Sequence, residues 1–176
     1  MADNLSVDYG YSSPAPTWSN QYLWPVLAEL VKTFHSQEKR VFELGCGNGA
    51  TANFLFEMGF DVTGVDPSTS GIAVANKAYP GLKLYEGNAY DDLAGRFGRF
   101  PLVVSLEVIE HCFYPRKYVQ TVFDLLEEGG EESFPPPIMA TGKIWPWRLP
   151  ASGVVAGWWL WRWRLVATAN RRWPGR

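Results

Sequence analysis

The sequence has only two cysteines and two histidines, and its last 44 residues contain no aspartate or glutamate. Two cysteines are too few for a disulfide framework, and Cys46 and Cys112 each lie inside a motif described below. We therefore expect reduced thiols in a cytoplasmic protein. The N-terminus lacks a basic stretch followed by an apolar one, so we expect no secretory signal peptide. The longest uncharged run of the tail, between Arg148 and Arg162, is shorter than a membrane-spanning helix, so we expect no transmembrane segment.

Charge is distributed unevenly along the 176 residues. Residues 1–132 carry all 18 acidic side chains and nine of the 16 basic ones, whereas residues 133–176 carry the other seven basic side chains. Seven of the nine tryptophans also lie in this last segment. The length suits one domain with a sizeable core. We predict an N-terminal arm at 1–18, a domain core at 19–132, and an atypical Trp-, Arg- and Pro-rich tail at 133–176.

The apolar pattern predicts an α/β domain. A first helix is expected to begin at a cap residue, Ser19 or Asn20, and to run to about residue 34. Strands are then predicted at 41–44, 61–65, 82–85 and 102–106, with helices at 50–58, 70–78, 89–94 and 116–128. This alternation predicts a Rossmann-like, doubly wound parallel sheet with helices on both faces. Ligands of such sheets bind at the carboxyl ends of the strands.

The first predicted strand runs into three glycines at alternate positions, in the segment Glu43-Leu44-Gly45-Cys46-Gly47-Asn48-Gly49. A glycine turn between a strand and a helix can hold an anionic or nucleoside ligand at the helix N-terminus. The spacing G-x-G-x-G differs from the G-x-G-x-x-G of dinucleotide-binding folds. Glycine also serves turns that bind nothing, so the motifs that follow must decide between the two interpretations.

Polar residues end the second and third predicted strands. Asp66 lies about 20 residues after the first glycine, where a carboxylate can accept hydrogen bonds from both hydroxyls of a ribose. The alternative is an aspartate that caps a helix or turn before Pro67. Asn88, followed by Ala89, offers a donor and an acceptor to an adenine edge, or else is an ordinary turn asparagine.

The fourth predicted strand runs into Leu106-Glu107-Val108-Ile109-Glu110-His111. Glu107, Glu110 and His111 can share one face of a helical turn, and their oxygen and nitrogen atoms suit a divalent cation such as Mg²⁺. Alternatively, His111 can act as a general base. The third possibility is that a glutamate caps the local turn while the histidine only packs.

Together, these segments resemble the class I S-adenosylmethionine-dependent methyltransferases, most closely the small-molecule O-methyltransferases of the ubiquinone-biosynthesis type. Residues 43–49 are similar to the first motif of that family, residues 64–68 to its second, and residues 106–111 to its E-x-x-E-H segment. Residues 87–89 depart mildly, because many members have an acidic residue before the alanine. The resemblance extends over roughly residues 38 to 130.

The resemblance implies transfer of a methyl group from S-adenosyl-L-methionine to a small-molecule acceptor, at oxygen. The implied cofactor-binding residues are Glu43, Gly45, Cys46, Gly47, Asn48, Gly49, Asp66, Asn88, Ala89 and Leu106. The family's E-x-x-E-H segment is associated with a divalent metal, which makes Glu107, Glu110 and His111 the implied ligands. His111 is also the implied catalytic base, if the acceptor must lose a proton. Selectivity in the family lies largely in the N-terminal arm, here Tyr9–Tyr11 and Pro16–Asn20, and in segments after the fourth strand.

The tail shows none of the further strands of the family fold, and Pro135, Pro136 and Pro137 cannot join a central strand. We therefore expect the C-terminal strands to be missing. Codons for residues 137–153 can be chosen so that a frame shifted by one base reads approximately H-H-G-Y-W-K-N-L-A-L-A, similar to the family's segment after the fifth strand. We hypothesise a frameshift near 129–133. The rival interpretation is a basic-aromatic surface for a membrane interface or single-stranded nucleic acid.

Three functions therefore stay open: a methyltransferase, a binding-only or defective fragment of one, and a dinucleotide-dependent oxidoreductase, which the glycine spacing disfavours. We expect a small-molecule partner and no nucleic acid. The sequence predicts neither the acceptor nor the oligomeric state.

Overall fold

The computed structural model of the protein describes residues 9–32, 38–127, 138–141 and 163–165. The helices are α1 (Trp18–Lys32), α2 (Ala50–Glu57), α3 (Thr69–Ala78), α4 (Leu93–Phe97) and α5 (Pro115–Asp124), with one 3-10 turn at Ile109–His111. The strands are β1 (Arg40–Leu44), β2 (Asp61–Asp66), β3 (Lys83–Glu86), β4 (Leu102–Leu106), β5 (Ile138–Thr141) and β6 (Trp163–Leu165). Within the described part, no helix is both long and apolar enough to span a bilayer.

The strands form one sheet in the order β3-β2-β1-β4-β5-β6. Strands β1 to β4 are parallel to one another, which confirms the predicted α/β fold with a parallel sheet. The central strand β1 is apolar and fully buried at Val41 and Phe42, whose side chains point to opposite faces. Strand β1 has β2 on one side and β4 on the other, so the strand order reverses at β1. The carboxyl ends of β1 and β4 therefore lie side by side.

Helices cover both faces of the sheet, as predicted. On one face, α1, α2 and α3 contribute the buried residues Leu27, Leu55 and Ile72 to one apolar cluster. On the other face, α4 and α5 contribute Leu93 and Tyr118 to a second cluster. Each helix thus buries one apolar stripe against the sheet, and this burial removes the core from water.

Strands β5 and β6 correct the prediction that the sheet lacks strands beyond β4. The backbone of β5 pairs in parallel with β4, and β6 pairs antiparallel with β5. The edge of β4 presents backbone groups that an extended segment can satisfy, whatever its side chains. Strand β5 begins at Ile138, directly after the three prolines. Those prolines led us to predict no strand in this part of the chain. The rest of the tail lies outside the described residues, and so does the proposed frameshift segment.

Helix α1 begins before the predicted cap residues. Its first residue is Trp18, and the side-chain oxygen of Asn20 accepts a hydrogen bond from the backbone nitrogen of Thr17 at 2.6 Å. Asn20 therefore reaches back over the first turn instead of preceding it. Its amide nitrogen donates to the hydroxyl of Thr51 at 3.1 Å, as does the indole nitrogen of Trp24 at 3.2 Å. These two bonds attach α1 to α2 beside the glycine turn.

The later helices also differ in their bounds. The helix predicted at 89–94 begins only at Leu93, because the side chain of Asp92 accepts a hydrogen bond from Gly95 at 2.9 Å and caps it there. The helix predicted at 116–128 runs from Pro115 to Asp124. Proline fits in the first turn of a helix, because the backbone nitrogens there have no partner within the helix.

Candidate functional site

A cavity of about 560 Å³ opens at the carboxyl ends of β1, β2, β3 and β4. Its walls contain most of the residues that the sequence singled out: Glu43, Gly45, Cys46, Gly47, Asn48, Asp66, Asn88, Ala89, Leu106, Glu107 and His111. Gly49 and Glu110 are not among the residues that line it. Four separate loops thus bring their motifs to one space, as the topology of a parallel sheet requires.

The glycine turn is fastened to the neighbouring strand. The backbone nitrogens of Gly45 and Cys46 both donate to the carbonyl oxygen of Val65, at 2.8 and 3.0 Å. A Cβ atom at position 45 would collide with the side chain of Val108 from the loop after β4. Glycine at this position therefore lets the loops after β1 and β4 approach each other at the floor of the cavity.

Gly49 packs closely against neighbouring elements, and its predicted cofactor contact stays a prediction. It precedes α2 with a left-handed φ of +78°, and an added Cβ would lie 2.8 Å from Cβ of Ala75 and 3.0 Å from Cδ1 of Leu84. Both neighbours belong to the elements behind the cavity, α3 and β3. The third glycine thus allows α2 to pack closely, a use that the motif alone does not distinguish from ligand contact.

Asp66 lies at the end of β2, with its carboxylate at the cavity wall. Oδ2 accepts a hydrogen bond from the backbone nitrogen of Gly47 at 2.8 Å, and Oδ1 accepts one from that of Ser68 at 2.8 Å. The residue that caps α3 is Ser68, whose hydroxyl accepts from Gly71 at 3.0 Å. Because an ionised carboxylate can accept about four hydrogen bonds, Asp66 can hold the glycine turn and still accept from a ligand hydroxyl.

Glu43 and Cys46 are buried at the inner end of the cavity. Within the described residues, Oε2 of Glu43 has no hydrogen-bond partner. Burial, and then the charge of Asp66, raise the pKa of Glu43 to about 8. Burial also raises the pKa of the Cys46 thiol well above its usual range, with further contributions from Glu43 and Asp66. The inner cavity therefore disfavours additional negative charge and would gain from a cation or a hydrogen-bond donor.

Asn88 occupies a turn and lines the cavity at once. Its side-chain oxygen accepts a hydrogen bond from Tyr90 at 3.1 Å, and its backbone nitrogen donates to Oδ2 of Asp91 at 2.7 Å. Asn88 is thus a turn residue that, with the following Ala89, also lines the cavity, and its contact with an adenine edge stays a prediction.

The segment after β4 divides the predicted metal ligands. Glu107 has a left-handed φ of 58°, the single non-glycine example among the described residues. The 3-10 turn that follows, Ile109–His111, carries Glu110 and His111. Glu107 and His111 line the cavity, whereas Oε2 of Glu110 is buried outside its lining. Across the ranges that the structure describes, no three His, Cys, Asp or Glu side chains are grouped as metal ligands.

The N-terminal arm forms the outer wall. Tyr9 and Tyr11 line the cavity, as the family resemblance suggested for the arm. The rings of Tyr9 and His111 meet edge to face, with centroids 5.4 Å apart. Thr51, Tyr90, Val108, Cys112 and Phe113 also line the cavity, and sequence reasoning missed them as site residues. Only their nearness to the motifs could have indicated them.

Comparison with known proteins identifies the family of this chain. A family model described as a methyltransferase domain matches residues 19–131, which is more than half of the chain. The chain belongs to this methyltransferase family. Its described strands β1 to β4 have the strand order 3-2-1-4 of the class I fold, and the family's methyl donor is S-adenosylmethionine. Membership in the methyltransferase family favours S-adenosylmethionine over a dinucleotide as the ligand of the glycine turn.

The curated relatives of this methyltransferase domain include two ubiquinone biosynthesis O-methyltransferases. The chain is 34% identical over 97 residues to the protein from Cereibacter sphaeroides, covering 53% of this chain and 39% of that protein. It is 33% identical over 100 residues to the one from Nitrosococcus oceani, covering 54% and 42%. The chain thus matches about two fifths of the length of each relative.

Solved structures show the same fold at lower sequence identity. An S-adenosylmethionine-dependent methyltransferase from Mesorhizobium loti superposes with a TM-score of 0.54 at 23% identity, covering 68% of this chain and 53% of that one. Magnesium protoporphyrin IX methyltransferase from Synechocystis superposes with a TM-score of 0.57 at 19% identity, covering 71% and 56%.

Proposed function

We propose that this protein is a cytoplasmic methyltransferase that uses S-adenosyl-L-methionine to methylate an oxygen atom of a small-molecule acceptor. The observation that carries the proposal is the cavity at the strand ends, where all four motifs of the sequence meet. Two free cysteines, Cys46 and Cys112, are consistent with the cytoplasmic location.

The charge of the cavity supports this cofactor. When bound, the cofactor supplies a methyl group on a positively charged sulfonium, which is a good leaving group. The lining contains the acidic residues Asp66 and Glu107, together with Glu43, whose raised pKa keeps it protonated at neutral pH, and the described lining residues include no lysine or arginine. Such a wall attracts a cation and gives phosphate groups no partner, which favours a small acceptor over nucleic acid.

In this proposal, different residues bind the ribose, the adenine and the methionine part of the cofactor. Asp66, already fixed by the backbone nitrogens of Gly47 and Ser68, accepts hydrogen bonds from the ribose hydroxyls. Asn88 and Ala89 flank the adenine. Backbone groups of the glycine turn and Leu106 contact the methionine part. These contacts align the donor and exclude water, which is most of what a methyl transfer requires.

His111 has the role of general base in this proposal. It lines the cavity, where its ring meets that of Tyr9 edge to face. An imidazole nitrogen there can take the proton from an acceptor hydroxyl as the oxygen is methylated. Among the residues that the structure describes, no three His, Cys, Asp or Glu side chains form a group that could hold a metal ion, and the proposal assigns no divalent cation.

Titration calorimetry tests the cofactor assignment. We expect one molecule of S-adenosylmethionine to bind per chain and a nicotinamide dinucleotide not to bind. Asp66→Asn should weaken binding about tenfold to a hundredfold, as expected for the loss of a charged hydrogen-bond acceptor. Asp61→Asn, at the opposite and exposed end of the same strand, is the matched control and should bind like wild type. Equal affinity of both variants would remove Asp66 from the site.

A binding-only protein is the second candidate, because the family match covers residues 19–131 and does not extend to the tail at 133–176. Transfer of a tritiated methyl group to a set of small phenols and alcohols separates the two. If the wild-type protein yields a labelled product and His111→Ala does not, the result supports the methyltransferase function. Cofactor binding without any labelled product supports the binding-only candidate.

A further inference from the structure

The described N-terminal arm, residues 9–17, is attached to the loops that surround the cavity. The backbone nitrogen of Tyr11 donates to the hydroxyl of Ser70, at 3.0 Å, at the start of α3. Further along the arm, the hydroxyl of Tyr79, at the end of α3, donates to the carbonyl oxygen of Pro14 at 3.1 Å. These two hydrogen bonds thus attach the arm to both ends of α3.

Asn48 makes the most extensive of these attachments. Its side-chain nitrogen donates to the carbonyl oxygens of Ser13 at 2.8 Å and Ala15 at 3.0 Å, while its side-chain oxygen accepts from the backbone nitrogen of Ala50 at 3.3 Å. Asn48 is only 6% exposed, so these bonds are shielded from water. Its amide therefore joins the arm to the glycine turn, while the predicted cofactor contact of Asn48, which also lines the cavity, stays a prediction.

A slot between two glycines receives the ring of Tyr11. A Cβ atom at Gly47 would lie 2.8 Å from the Tyr11 hydroxyl oxygen, and one at Gly71 would lie 2.9 Å from Cδ2 of the same ring. Gly47 lies in the glycine turn and Gly71 in the first turn of α3, so the slot exists only where these two elements pack together. Tyr11 also lines the cavity, which makes its ring a shared wall between the arm and the ligand space.

We propose that residues 9–15 form a strap that closes over the cofactor cavity, with Tyr11 as its latch and Asn48 as the positioning residue that holds it closed. The coupling of the strap to the cofactor rests on the proposed function. A ligand that fills the cavity supports the ring of Tyr11 from inside, so it binds the closed strap better than the open one. By linkage, such a ligand must also keep the strap closed.

Limited proteolysis of the full chain with chymotrypsin reads the strap directly, because cleavage after Tyr9 and Tyr11 requires an open arm. Mass spectrometry gives the rate of loss of the N-terminal peptide. Without ligand, Asn48→Ala should be cleaved about tenfold faster than wild type, since two hydrogen bonds are lost. Tyr79→Phe, which loses one, should be cleaved about threefold to fivefold faster. Ser12→Ala, an exposed change in the same arm, should be cleaved at the wild-type rate.

Saturating S-adenosylhomocysteine, with its binding verified by calorimetry, should slow arm cleavage in the wild type and in both anchor variants. Wild-type cleavage rates in Asn48→Ala and Tyr79→Phe would overturn the strap. Binding of S-adenosylhomocysteine without slower cleavage would overturn its coupling to the cofactor. If calorimetry detects no binding, the proposed function and the coupling both fail, while the ligand-free rates still decide whether the strap is anchored as described.

Discussion

The buried carboxyl group of Glu43 makes the stability of the protein depend on pH in an unusual direction. The folded state keeps its proton up to a pKa of about 8, whereas an unfolded chain releases it near the ordinary pKa of 4.5 for a glutamate side chain. Between these two values the folded state binds more protons than the unfolded state. The free energy of unfolding must therefore fall as the pH rises through this window, and the side chain costs nothing at pH values below it.

The size of the effect follows from the same window. One proton of difference changes the free energy of unfolding by about 1.4 kcal/mol per pH unit, so the upper limit between pH 5 and pH 8 is about 4 kcal/mol. Glu43→Gln has nearly the same shape and cannot ionise, so it should lack this component. Urea unfolding at pH 5, 6, 7 and 8 measures it as the difference between variant and wild type. That difference should grow with pH in favour of the variant.

Glu57→Gln, on the exposed end of α2, is the control for the loss of one carboxylate, and its difference from wild type should not follow this course. If wild type and Glu43→Gln lose stability in parallel as the pH rises, Glu43 is ionised in the folded state. The reasoning from burial and from the nearby charge of Asp66 would then be refuted.

Three further substitutions test how the cavity is supported, each by urea unfolding. Gly49→Ala should destabilise by about 2–4 kcal/mol, because it adds left-handed strain and crowds Ala75; an unchanged midpoint would contradict the packing role. Ser68→Ala should cost about 1 kcal/mol through the lost cap of α3; an unchanged midpoint would mean that the cap contributes nothing. Tyr118→Phe removes the hydroxyl that donates to Ser105 at 2.7 Å and should also cost about 1 kcal/mol; no loss would mean that this buried bond contributes nothing.

The parallel core of the fold could be predicted because its signals are local. Each of β1 to β4 is a short apolar run followed by a helical pattern, and every such strand must place its carboxyl end at the same edge of the sheet. That rule alone brings Asp66, Asn88 and Glu107 to the space above the glycine turn, even though they lie far apart in sequence.

The orientation of single side chains could not be predicted, because it depends on distant parts of the chain. Asn48 bonds to carbonyl groups of Ser13 and Ala15, more than 30 residues earlier, in an arm without a periodic pattern. Gly49 is fixed by Leu84 of a later strand. A motif defines which residues are near a ligand, but not which of them contact it and which hold the loop.

Strands β5 and β6 were missed for a different reason. They are four and three residues long, and they pair through backbone groups that any composition supplies. Neither the alternation of apolar residues nor the family resemblance extends to them. Whether residues 133–176 arise from a frameshift therefore stays a hypothesis, which the gene sequence and its neighbouring reading frame would decide.

The central claim is that S-adenosylmethionine binds in the cavity above the glycine turn. Amide chemical-shift changes of the isotope-labelled protein, recorded during titration with S-adenosylhomocysteine, test it most directly. We predict saturable changes concentrated at residues 43–48, 65–66, 87–90 and 106–108, which line the cavity, and none along the outer face of α5. The absence of shift changes at saturating ligand, or changes confined to residues away from the cavity, would contradict the account.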